Sequence, residues 1–260
     1  MRHPFAGTLR LRRRELLGRA AVLVPLALQL VVLAGVGLLA WAGRDPLGAR
    51  GDLILAGLRA TAVPGGLLFA VLAAAVVGAD FGWSTERMLL ARDPRRSRFV
   101  ALQFTVTLGL ALGWWALQSL LAVAGGSLEQ RLLGLAPGPG LPLAAPPERA
   151  ALLAALIATA VYGLLGAAGA LCFRGALAGV MAVLTYSAFG ELVVAPQSDR
   201  LNGWTVATAT LRLSSVPGTA PAPGVAAAIP SSRAVEVLAA AAAAALLVSF
   251  LGYADREIRG

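Results

Sequence analysis

The side chains able to do chemistry are few, and their spacing already excludes most of it. The only histidine is His3 and the only cysteine is Cys172. A His/Cys metal centre needs three or four such ligands held close together, so none can be assembled from these two. One cysteine closes no internal disulfide. All 22 basic residues are arginine. The GK[ST] lysine of a phosphate-binding P-loop is therefore missing, and the chain cannot be its own ATPase by that route. An enzyme embedded in a membrane would need a Glu/His/His set or paired aspartates within its apolar runs, and the sequence has neither. The expectation is a non-enzyme with no catalytic residue, no metal and no cofactor of its own.

Two places nevertheless keep charge in apolar surroundings. Glu191 is an acid inside an apolar run long enough to span a membrane. Such a group can hold a coupling ion in a proton- or sodium-driven transporter. Near the end of its run, it equally suits a solvated or paired interfacial residue close to a dimer contact. The second place is residues 80–98, DFGWSTERMLLARDPRRSR, which crowd five arginines, three acids and a tryptophan between two greasy segments.

The elements that must carry these residues follow from composition. The 260 residues are 58% hydrophobic and only 13% charged, with a mean hydropathy of +0.77, against about 25% charged in soluble domains. A hydrocarbon core about 30 Å thick asks for roughly 20 apolar residues per helix. The sequence predicts an all-α integral membrane protein with six such spans: 20–42, 58–79, 99–125, 150–173, 175–195 and 234–254. The second span is placed to begin late, because Arg59 near a helix centre would cost about 2.5–3.5 kcal/mol and can snorkel at an edge. Pro64, Gly65 and Gly66 predict a kink within it. Gly163, Gly166 and Gly169 in the fourth span would allow close helix contact. Together with Glu191 they are candidate dimer or pathway residues.

Arginine placement orients the chain. With the N-terminus inside, the inner segments 1–19, 80–98, 174 and 255–260 hold 14 of the 22 arginines in 45 residues, and the outer segments hold 8 in 79. That density is about threefold higher inside, so both termini are expected in the cytoplasm. A pI near 11.4 then reflects anionic lipid and the positive-inside rule, not nucleic acid. The domain reading is a cytoplasmic or interfacial segment 1–19, one six-helix domain 20–254 and a cytoplasmic tail 255–260. RRRELLGRA before the first apolar run imitates an export signal, but 23 apolar residues followed by five further spans read as a retained first helix. Residues 4–19 suit an interfacial helix, with Phe5, Leu9 and Leu16 on one face and Arg12 interrupting it.

The outer loops are expected at 43–57, 126–149 and 196–233. Residues 135–147, with five prolines, read as an extended linker. Residues 196–233 are long for a connection and mix Trp204, Val206 and Leu211 with Arg200 and Arg212. They either lie on the outer leaflet or fold back against the spans, and loops of that length are often functional.

Within 80–98 the pattern predicts a short helix. Ser84 and Thr85 are suited to cap it, Glu86 sits in its first turn, and Pro94 ends it. Phe81, Thr85, Met88 and Leu89 share one apolar face flanked by Arg87 and Arg92. A helix of this kind can dock in a partner's groove or lie among lipid headgroups with Trp83 as anchor. The stretch resembles the cytoplasmic loop of ABC-2 type transporter permeases, which runs roughly E-F/Y-x-x-G-T-x-R-x-L-L and then a proline and an arginine. Asp80 and Phe81 match its start, Thr85 the threonine, Arg87 the arginine, Leu89 and Leu90 the leucine pair, and Pro94 with Arg96 or Arg98 its end. Asp80 stands where the family usually has Glu, and Ser84 where it usually has Gly. The Arg-rich start, six spans, Glu191 near the end of the fifth and the charged ending ADREIRG fit the same layout.

The resemblance implies a transmembrane permease subunit that pairs with a second copy or a paralogue. It would be driven by separate ABC ATP-binding subunits, which bind the ATP and Mg, with residues 84–92 as the coupling helix seated in the ATPase. It implies a multi-pass protein of a bacterial-type inner (cytoplasmic) membrane, exporting a drug, peptide or lipid-like compound. Two other readings fit the composition: an ion-coupled secondary transporter and a non-transporting membrane scaffold.

Overall fold

The computed structural model describes residues 20–42, 53–82, 96–134, 146–194, 203–215 and 230–254, and within them all regular structure is helical. In chain order the elements are α1 (Ala20–Trp41), α2 (Leu53–Gly82), α3 (Arg96–Leu132), α4 (Pro146–Phe173), α5 (Ala176–Thr185), a π-helix over Tyr186–Val194 that continues α5, α6 (Val206–Leu213) and α7 (Ser231–Ala254). Four helices, α2, α3, α4 and α7, are long and apolar enough to cross a membrane. Two shorter apolar helices, Val24–Leu39 and Ala176–Glu191, accompany them.

The outward-facing side chains are as apolar as the core. Leu112 and Leu120 on α3, Leu177 on α5, and Leu247 and Leu251 on α7 are all more than half exposed. In water so continuous a belt would invite aggregation, whereas against hydrocarbon chains it is the ordinary solvent-facing surface. Along α7 only one stripe turns inward, at Ala234, Val237, Leu238, Ala245, Ser249 and Tyr253, the three-to-four spacing of a helix with one packed side.

With no hydrophobic drive between helices in lipid, close approach depends on small residues. α4 lies at the centre and packs along α2, with Ala158, Val161 and Tyr162 against Ala70. Gly166 is required there, because a methyl group would collide with the Ala70 carbonyl. Gly163 faces the Phe69 ring and Gly169 the Gly179 backbone on α5. These three glycines therefore pack within the chain, and their faces are not left open for a second copy.

The helix ends fall into two groups. At one end, called here the loop end, the end of α2, the start of α3, the α4–α5 turn and the end of α7 meet around Phe81, Phe99, Arg174 and Tyr253. At the opposite end Leu33 and Val36 of α1 pack with Ile54 and Leu55 of α2, Ala122 of α3 and Ala151 of α4.

Several boundaries differ from the sequence expectation. α2 begins at Leu53, before the predicted start at 58, and Arg59 is 2% exposed instead of snorkelling. The cost that suggested a late start applies to a charge facing lipid, and Arg59 faces neighbouring helices. Pro64 lies inside α2, which continues to Gly82. α3 runs for 37 residues, about 55 Å at 1.5 Å per residue, and so extends beyond any single hydrocarbon core. Pro146 and Pro147, read as linker, open α4. Proline is tolerated in a first turn because the missing N–H has no intrahelical partner there. The expectations for residues 4–19, for 84–92, for 135–145 and for the 255–260 tail lie outside the described residues.

Candidate functional site

Of the residues assigned to the coupling stretch, Asp80, Phe81 and Arg96 are described, and Ser84, Thr85, Arg87, Met88, Leu89, Leu90 and Pro94 are not. The described three bracket the connection and point into the bundle. Asp80, 5% exposed, accepts a 2.5 Å hydrogen bond from Nε2 of the fully buried Gln103 on α3. One turn of α3 earlier, Phe99 stacks on Tyr253 with centroids 5.6 Å apart and planes at 22°. Phe81 meets both rings, edge-on to Phe99 at 6.2 Å and tilted to Tyr253 at 6.4 Å. The guanidinium carbons of Arg96 and Arg174 stand 5.8 and 5.6 Å from the Tyr253 centroid. Arg174 holds a left-handed φ of 52° in the tight α4–α5 turn. The two ends of the 83–95 connection are thus fastened to each other and to the last helix.

The second cluster surrounds Glu191. The α5 helix widens into the π-helix at Tyr186, and this places Glu191 toward α4, 8% exposed. Tyr162 donates from its hydroxyl to Glu191 Oε2 at 2.7 Å, and the Ala207 amide donates to Oε1 at 3.0 Å. The Tyr186 hydroxyl and the Val206 amide belong to the same hydrogen-bonded group. Glu191 is therefore a paired residue. Tyr162 lies eleven residues from the loop end of α4 at Phe173, about 17 Å, so the carboxyl sits well inside the bundle.

The amides come from α6, which lies within 196–233 and packs back against the spans. Thr205 caps α6, its Oγ1 accepting from the Thr208 amide at 3.1 Å. A carboxyl placed at the free amides of a first helical turn also meets the positive end of the helix dipole. Val206 and Ala209 pack into the cluster of Val161, Tyr162, Val183, Val237 and Leu238. Arg233 at the start of α7 lies over the Trp204 ring at 4.9 Å, fastening the returning chain at its other side.

A third polar group crosses the bundle. Gln118 of α3 donates to Thr159 Oγ1 of α4 at 3.1 Å. Just past Pro64, the Gly65 carbonyl accepts the Trp114 indole at 3.0 Å. Gln29 on α1, fully buried, approaches Gly65 as well, and neither end of its amide has a hydrogen-bond partner among the described residues.

Sequence reasoning found Asp80, Phe81, Arg96 and Glu191 but missed Gln103, Tyr162, Tyr186 and Tyr253. For α6 a signal was present: Thr205 followed by Thr208, and apolar Val206 and Ala209 at helical spacing. Compared with known protein families, curated proteins and solved structures, the chain matches none of them.

Proposed function

We propose that this chain is the membrane-spanning permease subunit of an ATP-driven transporter of the ABC-2 type, crossing the membrane six times with both termini in the cytoplasm. The 80–98 connection then meets a separate ATP-binding subunit, which supplies ATP, Mg and hydrolysis. A second copy or a paralogue completes the pathway, in a bacterial-type cytoplasmic membrane. The cargo class is a drug, peptide or lipid-like compound moving outward.

The observation that carries this reading is the fastened base of the 80–98 connection. A push on a loosely attached loop would be absorbed locally. Here the loop's ends are locked by Asp80 to Gln103 and by the Phe81, Phe99 and Tyr253 rings, so displacement passes into α2 and α3. The motif residues, the inward arginine excess and the lack of a P-loop lysine support it from the sequence side. Nucleotide binding by the partner supplies the free-energy difference between inward- and outward-facing states.

The test is recovery of the natively expressed chain in detergent, with identification of the proteins that accompany it. A P-loop ATPase accompanying the wild type but not the Thr85, Arg87 and Leu89 triple-alanine variant supports the reading. Its absence from both removes the reading's main support.

A second reading, an ion-coupled secondary transporter, draws on one observation: an acid buried well inside the bundle at Glu191. The two separate at Glu191→Gln, which abolishes transport if the carboxyl carries the coupling ion and leaves ATP-driven transport largely intact if it holds α6.

A further inference from the structure

We propose that Tyr253 is the positioning residue that couples the last helix, α7, to the 80–98 connection, so that a displacement entering there moves α7 together with α2 and α3. The transmission part of this rests on the permease reading; the mechanical tie does not.

Tyr253 lies next to the end of α7 and is 1% exposed. Its surroundings come from α2, α3 and the α4–α5 turn. Phe81 ends α2, Phe99 and Arg96 begin α3, and Arg174 forms the α4–α5 turn. Arg96 Nη1 also reaches the Tyr253 carbonyl at 3.5 Å, which fixes the backbone of α7 as well as its ring. A single ring on α7 thus meets three other elements: α2, α3 and the α4–α5 turn. An aromatic ring suits this place because its faces and edge bind differently: the face accepts a stacked ring or a cation, and the edge meets a neighbouring face. Ser249 one turn earlier binds its own helix, at the Ala245 carbonyl; nearby on α7, Phe250 meets the Phe104 ring of α3 at 6.5 Å and the Val248 carbonyl accepts from Cys172 Sγ at 3.8 Å, but neither reaches the ends of the connection as Tyr253 does.

The consequence is a change in which helices respond. Without Tyr253, a push on the connection would reach α2 and α3, while α7 would follow only through contacts deeper in the bundle, such as Phe104 with Phe250. With it, the ends of α2, α3 and α7 and the α4–α5 turn form one unit.

The test uses the purified full chain in lipid nanodiscs and compares wild type, Tyr253→Phe and Tyr253→Ala. Amide hydrogen exchange at residues 78–82 and 96–100 is expected to accelerate about tenfold in Tyr253→Ala and to change little in Tyr253→Phe, with residues 206–213 unaffected in both. Unchanged exchange at both loop ends in Tyr253→Ala overturns the tie. Equal acceleration everywhere, including 206–213, marks general unfolding and overturns it too. Spin labels at Ser97→Cys and Leu251→Cys, in a Cys172→Ser background, then test transmission with the co-purified ATPase, ATP and vanadate. The label separation is expected to stay constant in wild type and to change in Tyr253→Ala. A changing separation in wild type, or a constant one in both, overturns transmission through Tyr253. If no ATPase co-purifies, the permease reading fails and the exchange result alone decides the tie.

Discussion

Tyr162 and Glu191, 29 residues apart in the chain, share a 2.7 Å hydrogen bond from phenol to carboxyl. The same carboxyl receives the Ala207 amide at 3.0 Å, so one side chain joins the centre of α4 to the returning helix α6. Glu191→Ala leaves the buried Tyr162 hydroxyl and the part-buried Ala207 amide without their acceptor. The expected cost is about 1–3 kcal/mol, and about 0.5–1.5 kcal/mol for Tyr162→Phe, which removes only the donor. Unfolding in detergent measures both. Because the bond is shared, the double variant should lose less than the two single losses added together.

Glycines on two faces of the bundle should respond in opposite directions. Gly166→Ala drives a methyl group into the Ala70 carbonyl, and backbone cannot give way as a flexible side chain would. A loss of about 1–3 kcal/mol is expected. Gly109 and Gly113, on the outward face of α3, have open space around them. Alanine at either should leave stability unchanged or raise it by about 0.5–1 kcal/mol through better helix propensity. Thermal unfolding of the three variants checks the contrast.

Gln29 is buried with both ends of its amide lacking a partner among the described residues. Replacing it with leucine removes that desolvation penalty at similar volume, so Gln29→Leu should be neutral or stabilising by about 1–3 kcal/mol. A destabilised Gln29→Leu would show that the amide is engaged in the membrane. The same unfolding assay decides it.

Topology has its own test. In a Cys172→Ser background, Arg131→Cys at the exposed end of α3 should react with a membrane-impermeant maleimide on intact cells. Arg87→Cys should react only after permeabilisation. Labelling of both from the same side would contradict an odd number of crossings between them.

The four long apolar helices were legible because hydrocarbon-facing and packed positions are both apolar here, and length marks each one, whereas Val24–Leu39 and Ala176–Glu191 are shorter than the spans expected there. The finer features depend on contacts that one sequence does not reveal. Arg59 was expected at an edge because the cost of burying a charge was reckoned against lipid, yet neighbouring helices surround it. Glu191 was visible as an acid in an apolar run. Its partner Tyr162 was not, because the π-helix that turns the carboxyl toward α4 has no residue preference to announce it. Tyr253 stood in a charged ending, and nothing local linked it to Phe81 and Phe99, more than 150 residues earlier.

On the permease reading proposed above, the 80–98 connection is where another protein drives this one. Photocrosslinking tests it most directly. A photoreactive amino acid replaces Thr85 or Met88 in the natively expressed chain, the membranes are irradiated, and each adduct is identified by mass spectrometry. A covalent adduct with a P-loop ATPase is expected at one or both positions, and none when the same probe replaces Leu120 on the outward face of α3. Adducts confined to lipid at Thr85 and Met88 would contradict it and leave the stretch as a turn held in the headgroups.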